Sequence, residues 1–307
     1  MMNEPVKVYE VGPRDGLQNE NNMVPAYIKQ ELIRRLGKTG LQIIEATSFV
    51  HPEWIPQLAD ANQVMTSLAR QTNISYPVLV PNMAGLTRAL SAGAKEIAIF
   101  TAASESFSQK NTNCSIAESI NRFKPIMQQA KQENLWVRGY ISTVLGCPYE
   151  GEVQPEAVVQ VAESLLTMGC HEISLGDTIG VGTPRKAAHL IKAVKSVVPV
   201  EQIAVHFHDT YGQSLANILA CLDEGVRVID SSVAGLGGCP YARGASGNVA
   251  SEDVVYMLEG LGMHTGIDLE KLSEIGGWIT EQLQRPNRSR AGRAILANMP
   301  VKPALFS

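Results

Sequence analysis

The chain has 307 residues, with 26 Lys and Arg against 30 Asp and Glu for a formal net charge of −4; 45% of residues are hydrophobic and 18% charged. That much aliphatic material excludes a disordered chain, five Cys are too few for a disulfide scaffold, and the balanced charge leaves no basic footprint for nucleic acid. No apolar run approaches the roughly 20 residues that a bilayer span needs, no basic-then-apolar leader opens the chain, and the odd cysteine count suits a reducing compartment. The expectation is a cytoplasmic protein with no membrane and no nucleic-acid partner.

Short apolar, β-branched runs alternate with longer helical patterns. The runs are Val8–Val11, Ile43–Thr47, Tyr76–Val80, Glu96–Thr101, Trp136–Ser142, Glu172–Leu175, Ile203–Phe207 and Arg227–Val233. Between them apolar residues recur at helical spacing, as in Tyr27–Gly37 (Ile28, Leu32, Ile33, Leu36) and Pro155–Met168 (Val158, Val159, Val161, Leu165, Leu166). Pro81-Asn82 and Thr183-Pro184 read as helix entries; Gly37, Gly93, Gly169 and Gly225 read as exits. Strictly alternating strands and helices imply a parallel sheet, and eight units in about 260 residues imply closure into a (β/α)8 barrel. An open doubly wound sheet would carry a glycine-rich phosphate turn after its first strand; the turn here is Gly12-Pro13-Arg14-Asp15-Gly16. Beyond the eighth unit, Asp268–Leu283 reads as one further helix, Arg285–Arg290 as a loop and the remainder as a tail. The expected fold class is α/β, a single TIM barrel with an extra C-terminal helix and tail. It forms one catalytic domain over residues 1–307, with the barrel at about 5–262 and the extension at about 263–307.

In such a barrel the side chains just past the C-terminal ends of the strands face the active site. Those positions hold Arg14-Asp15, Glu45 with Thr47 and Ser48, Ser174 with Gly176-Asp177-Thr178, His206-Phe207-His208-Asp209, and the glycine-rich run Gly235-Leu236-Gly237-Gly238-Cys239-Pro240 leading to Gly247-Asn248. So many polar groups at one end need a purpose, because unpaired buried charge is costly. His206 and His208 are two apart on a strand and point to one face. That makes a half-site for a divalent metal, or two rings hydrogen-bonded to neighbouring carboxylates. Asp15 offers a ligand oxygen from across the barrel, or a turn cap. Arg14 suits a carbonyl or carboxylate oxygen, or an ion pair with Glu45 or Asp177, and the two roles are compatible. Cys239 lies among glycines and is the thiol expected to be most exposed, either a working group or a bystander.

These motifs resemble those of the 3-hydroxy-3-methylglutaryl-CoA lyases, metal-dependent barrels that begin with an Arg-Asp-Gly turn. The resemblance spans nearly the whole chain. It rests on residues 11–20 (Val-Gly-Pro-Arg-Asp-Gly-Leu-Gln-Asn-Glu), Ile44–Val50, Gly176–Gly180, His206–Thr210 and Gly235–Ala242 with Gly247-Asn248. It implies cleavage of 3-hydroxy-3-methylglutaryl-CoA to acetyl-CoA and acetoacetate, as in leucine degradation and ketone-body formation. The implied cofactor is a divalent cation, Mg2+ or Mn2+, held by Asp15, His206, His208 and Asn248. Arg14 would steady the thioester oxygen, Glu45, Asp177 and Glu252 would form the supporting carboxylates, and Cys239 would be the catalytic loop thiol. Ser48 and Ser174 join Arg14 as candidate substrate-binding residues, and a homodimer is implied. Departures from animal members are expected as well: no organelle-targeting extension, an ending Leu305-Phe306-Ser307 in place of a peroxisomal tripeptide, and a last cysteine at Cys239, which leaves nothing for a C-terminal intersubunit disulfide.

The residue types suit that reaction. A metal-bound tertiary hydroxyl loses its proton more readily, with Asp15 or His206 as the base. A permanently charged, forked Arg14 suits the enolate oxygen that forms on cleavage, and Cys239 would return a proton to carbon under a closing loop. Arg285, Arg288, Arg290 and Arg293 are either CoA phosphate partners or a solvated basic run. A lyase for a longer-branched substrate, such as the 3-isohexenyl homologue, shares the same motifs. A Claisen-type synthase would carry a Gln-x-Pro-Gly-like turn and Gly-Glu-Arg where this chain has Gln18-Asn19-Glu20 and Gly238-Cys239-Pro240. A non-catalytic barrel would show a decayed polar rim, which is intact here.

Overall fold

The computed structural model describes residues 5–238 and 247–300. Within them run strands β1 (Lys7–Glu10), β2 (Ile43–Ile44), β3 (Thr47–Ser48), β4 (Val78–Leu79), β5 (Glu96–Ala102), β6 (Trp136–Ser142), β7 (Glu172–Asp177), β8 (Ile203–Phe207) and β9 (Val228–Ser231). They form one sheet in the order β2-β1-β9-β8-β7-β6-β5-β4-β3, every pairing parallel. The second expected strand thus appears as two pieces, and those pieces sit at the two ends of the sheet. Its successive amides leave to opposite sides: Glu45 N–H donates to the Glu10 carbonyl and Ala46 N–H to the Pro77 carbonyl, each at 2.9 Å. Residues 43–48 therefore join both ends and close the sheet into a barrel.

The helical stretches take the forms their spacing demands. Helix Ala26–Leu36 buries Ile28, Leu32, Ile33 and Leu36, and Pro155–Met168 buries Val158, Val161 and Leu165 before ending on Gly169 at φ +107°. That left-handed exit is costly for any residue with a Cβ. Asn82 caps Met83–Ser91 by accepting the Gly85 amide. Strands β7 and β8 are buried at every position, as a sheet flanked by helices requires. One contiguous apolar cluster runs from Val6 to Ile279. Each fully buried aliphatic side chain in it contributes roughly 1.5–3 kcal/mol.

The C-terminal extension differs from expectation in one respect. Helix Leu269–Gln282 forms as expected, with the Asp268 side chain accepting the Lys271 amide. The expected tail, however, contains a second helix, Arg290–Asn298. Its free N-terminal amides are met by the Ser289 hydroxyl (Gly292 N, 2.8 Å) and by the Asp253 carboxylate (Ala291 N, 2.7 Å; Arg290 N, 3.2 Å). Ser289 is the local N-cap, while Asp253 belongs to the helix after β9, so its share of the cap is tertiary and lies outside the local pattern.

Candidate active site

The site starts from the turn after β1. The amides of Arg14, Asp15 and Gly16 converge on the Val11 carbonyl at 3.2, 2.8 and 3.1 Å. Pro13 adds no donor, and the Glu10 carboxylate takes the Gly12 amide at 2.8 Å. Arg14 and Asp15 are thereby presented side by side. Arg14 donates Nε to Glu45 Oε2 at 2.7 Å and Nη1 to Asp15 Oδ1 at 2.6 Å. Of the two ion-pair partners expected for it, the structure selects Glu45. Burial opposes the Arg14 charge, but Glu45 and then Asp15 outweigh burial and raise its pKa.

Strand β8 brings His206 to the same place, and His208 follows just past its end; their ring centroids lie 5.6 Å apart. His206 Nε2 is 3.8 Å from Asp15 Oδ2. Asn248 donates Nδ2 to that same oxygen at 2.7 Å, and its backbone bridges to His208. Asp15, His206 and His208 each offer one ligand atom within 4.8 Å of the others. His208 Nδ1 is buried without a hydrogen-bond partner. Burial, then the neighbouring His206, lowers the His208 pKa to about 4, so the ring is neutral at physiological pH. Burial raises the Asp15 pKa, but Arg14 and then both imidazoles more than reverse this and hold the carboxylate well below its ordinary range. A neutral imidazole with an orphaned buried nitrogen, a second imidazole and an ionised carboxylate fit a divalent cation with mixed N and O ligands.

Beneath this cluster lies a layer that sequence reasoning missed. Asp230 on β9 is the register partner of His206. Its Oδ2 meets His206 Nδ1 and the Ser174 hydroxyl, both at 3.0 Å, and its Oδ1 accepts from Arg138 Nη2 at 2.6 Å. Burial raises the Asp230 pKa, but Arg138 and His206 bring it below the ordinary value. The Arg138 guanidinium sits 3.8 Å from the Tyr9 ring centroid and 4.9 Å from that of Tyr140. One signal was available in the sequence: Arg138 and Asp230 are charges inside otherwise apolar strand runs.

A family model described as HMGL-like matches residues 5–279. The chain belongs to the HMGL-like family. It is 58% identical over 290 residues to the mitochondrial hydroxymethylglutaryl-CoA lyase of Arabidopsis thaliana, a match covering 94% of this chain and 62% of that one. It is also 58% identical, over 289 residues, to the mitochondrial hydroxymethylglutaryl-CoA lyase of Rattus norvegicus, covering 94% of this chain and 89% of that one. This chain thus spans less than two thirds of the plant relative and most of the rat one. The crystal structure of hydroxymethylglutaryl-CoA lyase from Pseudomonas aeruginosa superposes with a TM-score of 0.95 at 53% identity, over 97% of this chain and 99% of that one.

The other expected site residues of this HMGL-like barrel have different surroundings. Glu45 is fully buried on Arg14, with Oε1 unpartnered. Asp177 accepts the amides of Val181 (3.1 Å) and Gly182 (2.8 Å) and so shapes the loop after β7. Glu252 accepts the Ala234 amide with both oxygens, at 3.1 and 2.9 Å, away from the histidines' own hydrogen bonds. Ser48 accepts the Val50 amide at 3.2 Å, and Ser174 is engaged with Asp230. Cys239 lies outside the described residues. The roots of its loop are held: Asn19 donates to the Gly238 carbonyl and Arg288 to the Gly237 carbonyl, each at 3.1 Å. Of the four arginines, Arg285 pairs with Glu20. Arg288, Arg290 and Arg293 line a cleft of ≈ 630 Å³ together with Asn248, Asp209 and Asp253. The four described cysteines are free and buried.

Proposed function

We propose that the chain is a divalent-metal-dependent carbon–carbon lyase that cleaves (S)-3-hydroxy-3-methylglutaryl-CoA to acetyl-CoA and acetoacetate, the chemistry of leucine degradation and ketone-body formation. The observation that carries this is Arg14 joined to Asp15 beside the His206–His208 pair, at the mouth of a barrel whose relatives bear that lyase name.

Asp15, His206, His208 and Asn248 would hold the cation. Once bound, it lowers the pKa of the tertiary hydroxyl and orients the substrate. Asp15 Oδ2 and His206 Nε2 face each other across 3.8 Å; with His206 holding the cation, the Asp15 carboxylate takes the hydroxyl proton. Arg14 has two of its edges fixed by Glu45 and Asp15 and remains 6% exposed; that exposed sliver meets the thioester oxygen as it gains enolate charge. Glu45 keeps the guanidinium from turning away. Cys239, on the loop rooted by Asn19 and Arg288, returns a proton to the enolate carbon. The cleft lined by Arg288, Arg290 and Arg293 takes the CoA phosphates, because it reaches Asn248 at the mouth of the site.

The deciding experiment is release of acetoacetate from the methyl substrate, run in parallel with release of the corresponding longer keto acid from the 3-isohexenyl homologue. Cleavage of the methyl substrate is expected to dominate; cleavage of neither overturns the reading. It includes Mg2+ or Mn2+ as the metal and a cytoplasmic homodimer as the working form, which sedimentation and fractionation test. Among the described residues no helix is long and apolar enough to cross a membrane.

A further inference from the structure

We propose that Asp230, clamped by Arg138 and Ser174, is the positioning residue that fixes the ring orientation and tautomer of His206, so that Nε2 faces Asp15 with its lone pair free. This rests on the lyase reading only in taking His206 as a metal ligand.

The geometry leaves little choice. A carboxylate only accepts hydrogen bonds, so the imidazole nitrogen 3.0 Å from Asp230 Oδ2 must carry a hydrogen, and that nitrogen is Nδ1. In a neutral ring the other nitrogen, Nε2, then has no hydrogen. It is the atom that looks toward Asp15. Asp230 is itself held from both sides, by Arg138 Nη2 at 2.6 Å on one oxygen and the Ser174 hydroxyl at 3.0 Å on the other. Arg138 is equally constrained. Its Nη1 donates to the Tyr140 hydroxyl at 3.2 Å, its Nε lies 2.9 Å from Glu172, and its plane rests on Tyr9. No member of this chain is exposed beyond 9% in its side chain where an ion pair is measured, His206 at 10% excepted. A carboxylate so fixed defines the ring's rotation as well as its tautomer. Ligating histidines depend on such partners, whose loss typically costs 10–100-fold in metal affinity.

The test uses the full chain stripped of metal. Imidazole 15N shifts at a pH where His206 is neutral, assigned against His206→Asn, should show Nδ1 protonated and Nε2 bare; an Nε2–H tautomer in the wild-type chain overturns the proposal. In Asp230→Asn the new amide keeps its oxygen on Arg138 and turns its NH2 to His206. The tautomer should invert, and Mn2+ affinity should fall by about 10–100-fold. Ser174→Ala, which removes one of three bonds to Asp230, should weaken Mn2+ binding by a smaller factor. Wild-type Mn2+ affinity in a folded Asp230→Asn chain overturns the proposal as well. If that variant does not fold, the wild-type spectrum decides alone. None of these readouts involves a thioester. Absence of acetoacetate release alongside the expected tautomer and affinities would therefore defeat the lyase reading and leave this one standing.

Discussion

Asp15 and Asp230 are enclosed carboxylates, and so are Glu10 and Glu252, yet the two pairs are kept in opposite states. Each aspartate lies 2.6 Å from a guanidinium, Arg14 or Arg138, and is held below its ordinary pKa despite burial. Among the described residues, the glutamates have no cation at hydrogen-bond distance. Glu10 accepts from the amides of Gly12 and Val233 and from the Ser251 hydroxyl, and burial pushes its pKa up to about 7. Glu252 accepts from Ala234, and burial pushes it up to about 8. The aspartates are charged groups, Asp15 beside the histidines and Asp230 beneath His206. The glutamates are clasps that pin the turn Val233–Gly235, where Ala234 sits at φ +57° and the loop carrying Cys239 begins. A Cβ at Gly276 or Gly292 would run into Glu252 Oε1, so both C-terminal helices pack closely against this clasp. Acidity at a barrel mouth is thus no count of catalytic groups; what decides is whether the neighbours outweigh burial, since Glu45 is raised by burial even with Arg14 at 2.7 Å.

The sharpest way to break this comparison is to remove the metal. Chelation should abolish turnover, and Mg2+ or Mn2+ should restore it; full activity in stripped protein would remove the reason for keeping Asp15 charged. His208→Ala should lose metal affinity far more than fold, since the barrel core does not depend on it.

Arg14→Lys comes next. Lys supplies one point charge and cannot bridge Glu45, Asp15 and substrate together. Turnover should fall by about two orders of magnitude or more with a modest change in KM, and a variant that only raises KM would make Arg14 a uniform binding residue.

Cys239→Ser should bind metal and substrate yet turn over much more slowly. Exchange of the acetyl-CoA methyl protons should slow with it, because that is the same proton transfer in reverse. Wild-type turnover and exchange would show the thiol to be a bystander.

The smallest effects distinguish clasp from charge by pH. A folded-state pKa of about 8 against the ordinary 4.5 means that folded Glu252 keeps a proton the unfolded chain has lost. Its stabilisation is therefore full below about pH 4.5 and declines as pH rises through 8. Asp15 and Asp230 act with the other sign, stabilising above ordinary carboxylate values and losing that contribution on acidification. Glu252→Gln mimics the protonated clasp. It should keep wild-type Mn2+ affinity and flatten the decline in Tm between pH 5 and 8, a change on the order of 10 °C at roughly 2–4 °C per kcal/mol. A large loss of Mn2+ affinity in this variant would place Glu252 with the charged pair instead.

The barrel and half of its site were legible along the chain because they rest on local rules. The strand and helix periods, the caps at Asn82 and Asp268 and the exit at Gly169 are each written within a few residues. His206 and His208 announce a shared face through a spacing of two, and Arg14-Asp15 through their place after the first strand. Three features were beyond reach in this way. The helix Arg290–Asn298 has a local N-cap in Ser289, but the Asp253 carboxylate that meets its Arg290 and Ala291 amides comes from far back in the chain. Arg14 had two candidate acids, and only strand closure across residues 43–48 put Glu45 rather than Asp177 beside it. Arg138 and Asp230 stood out merely as charges in apolar runs, 92 positions apart. The sequence by itself determined where the strands lie and which polar side chains reach one end of the barrel, since those depend on backbone periodicity. Only the tertiary structure decided which acid is held below its ordinary pKa and which is raised above it, because a carboxylate's state is the balance of its burial against neighbours that chain closure brings from distant strands.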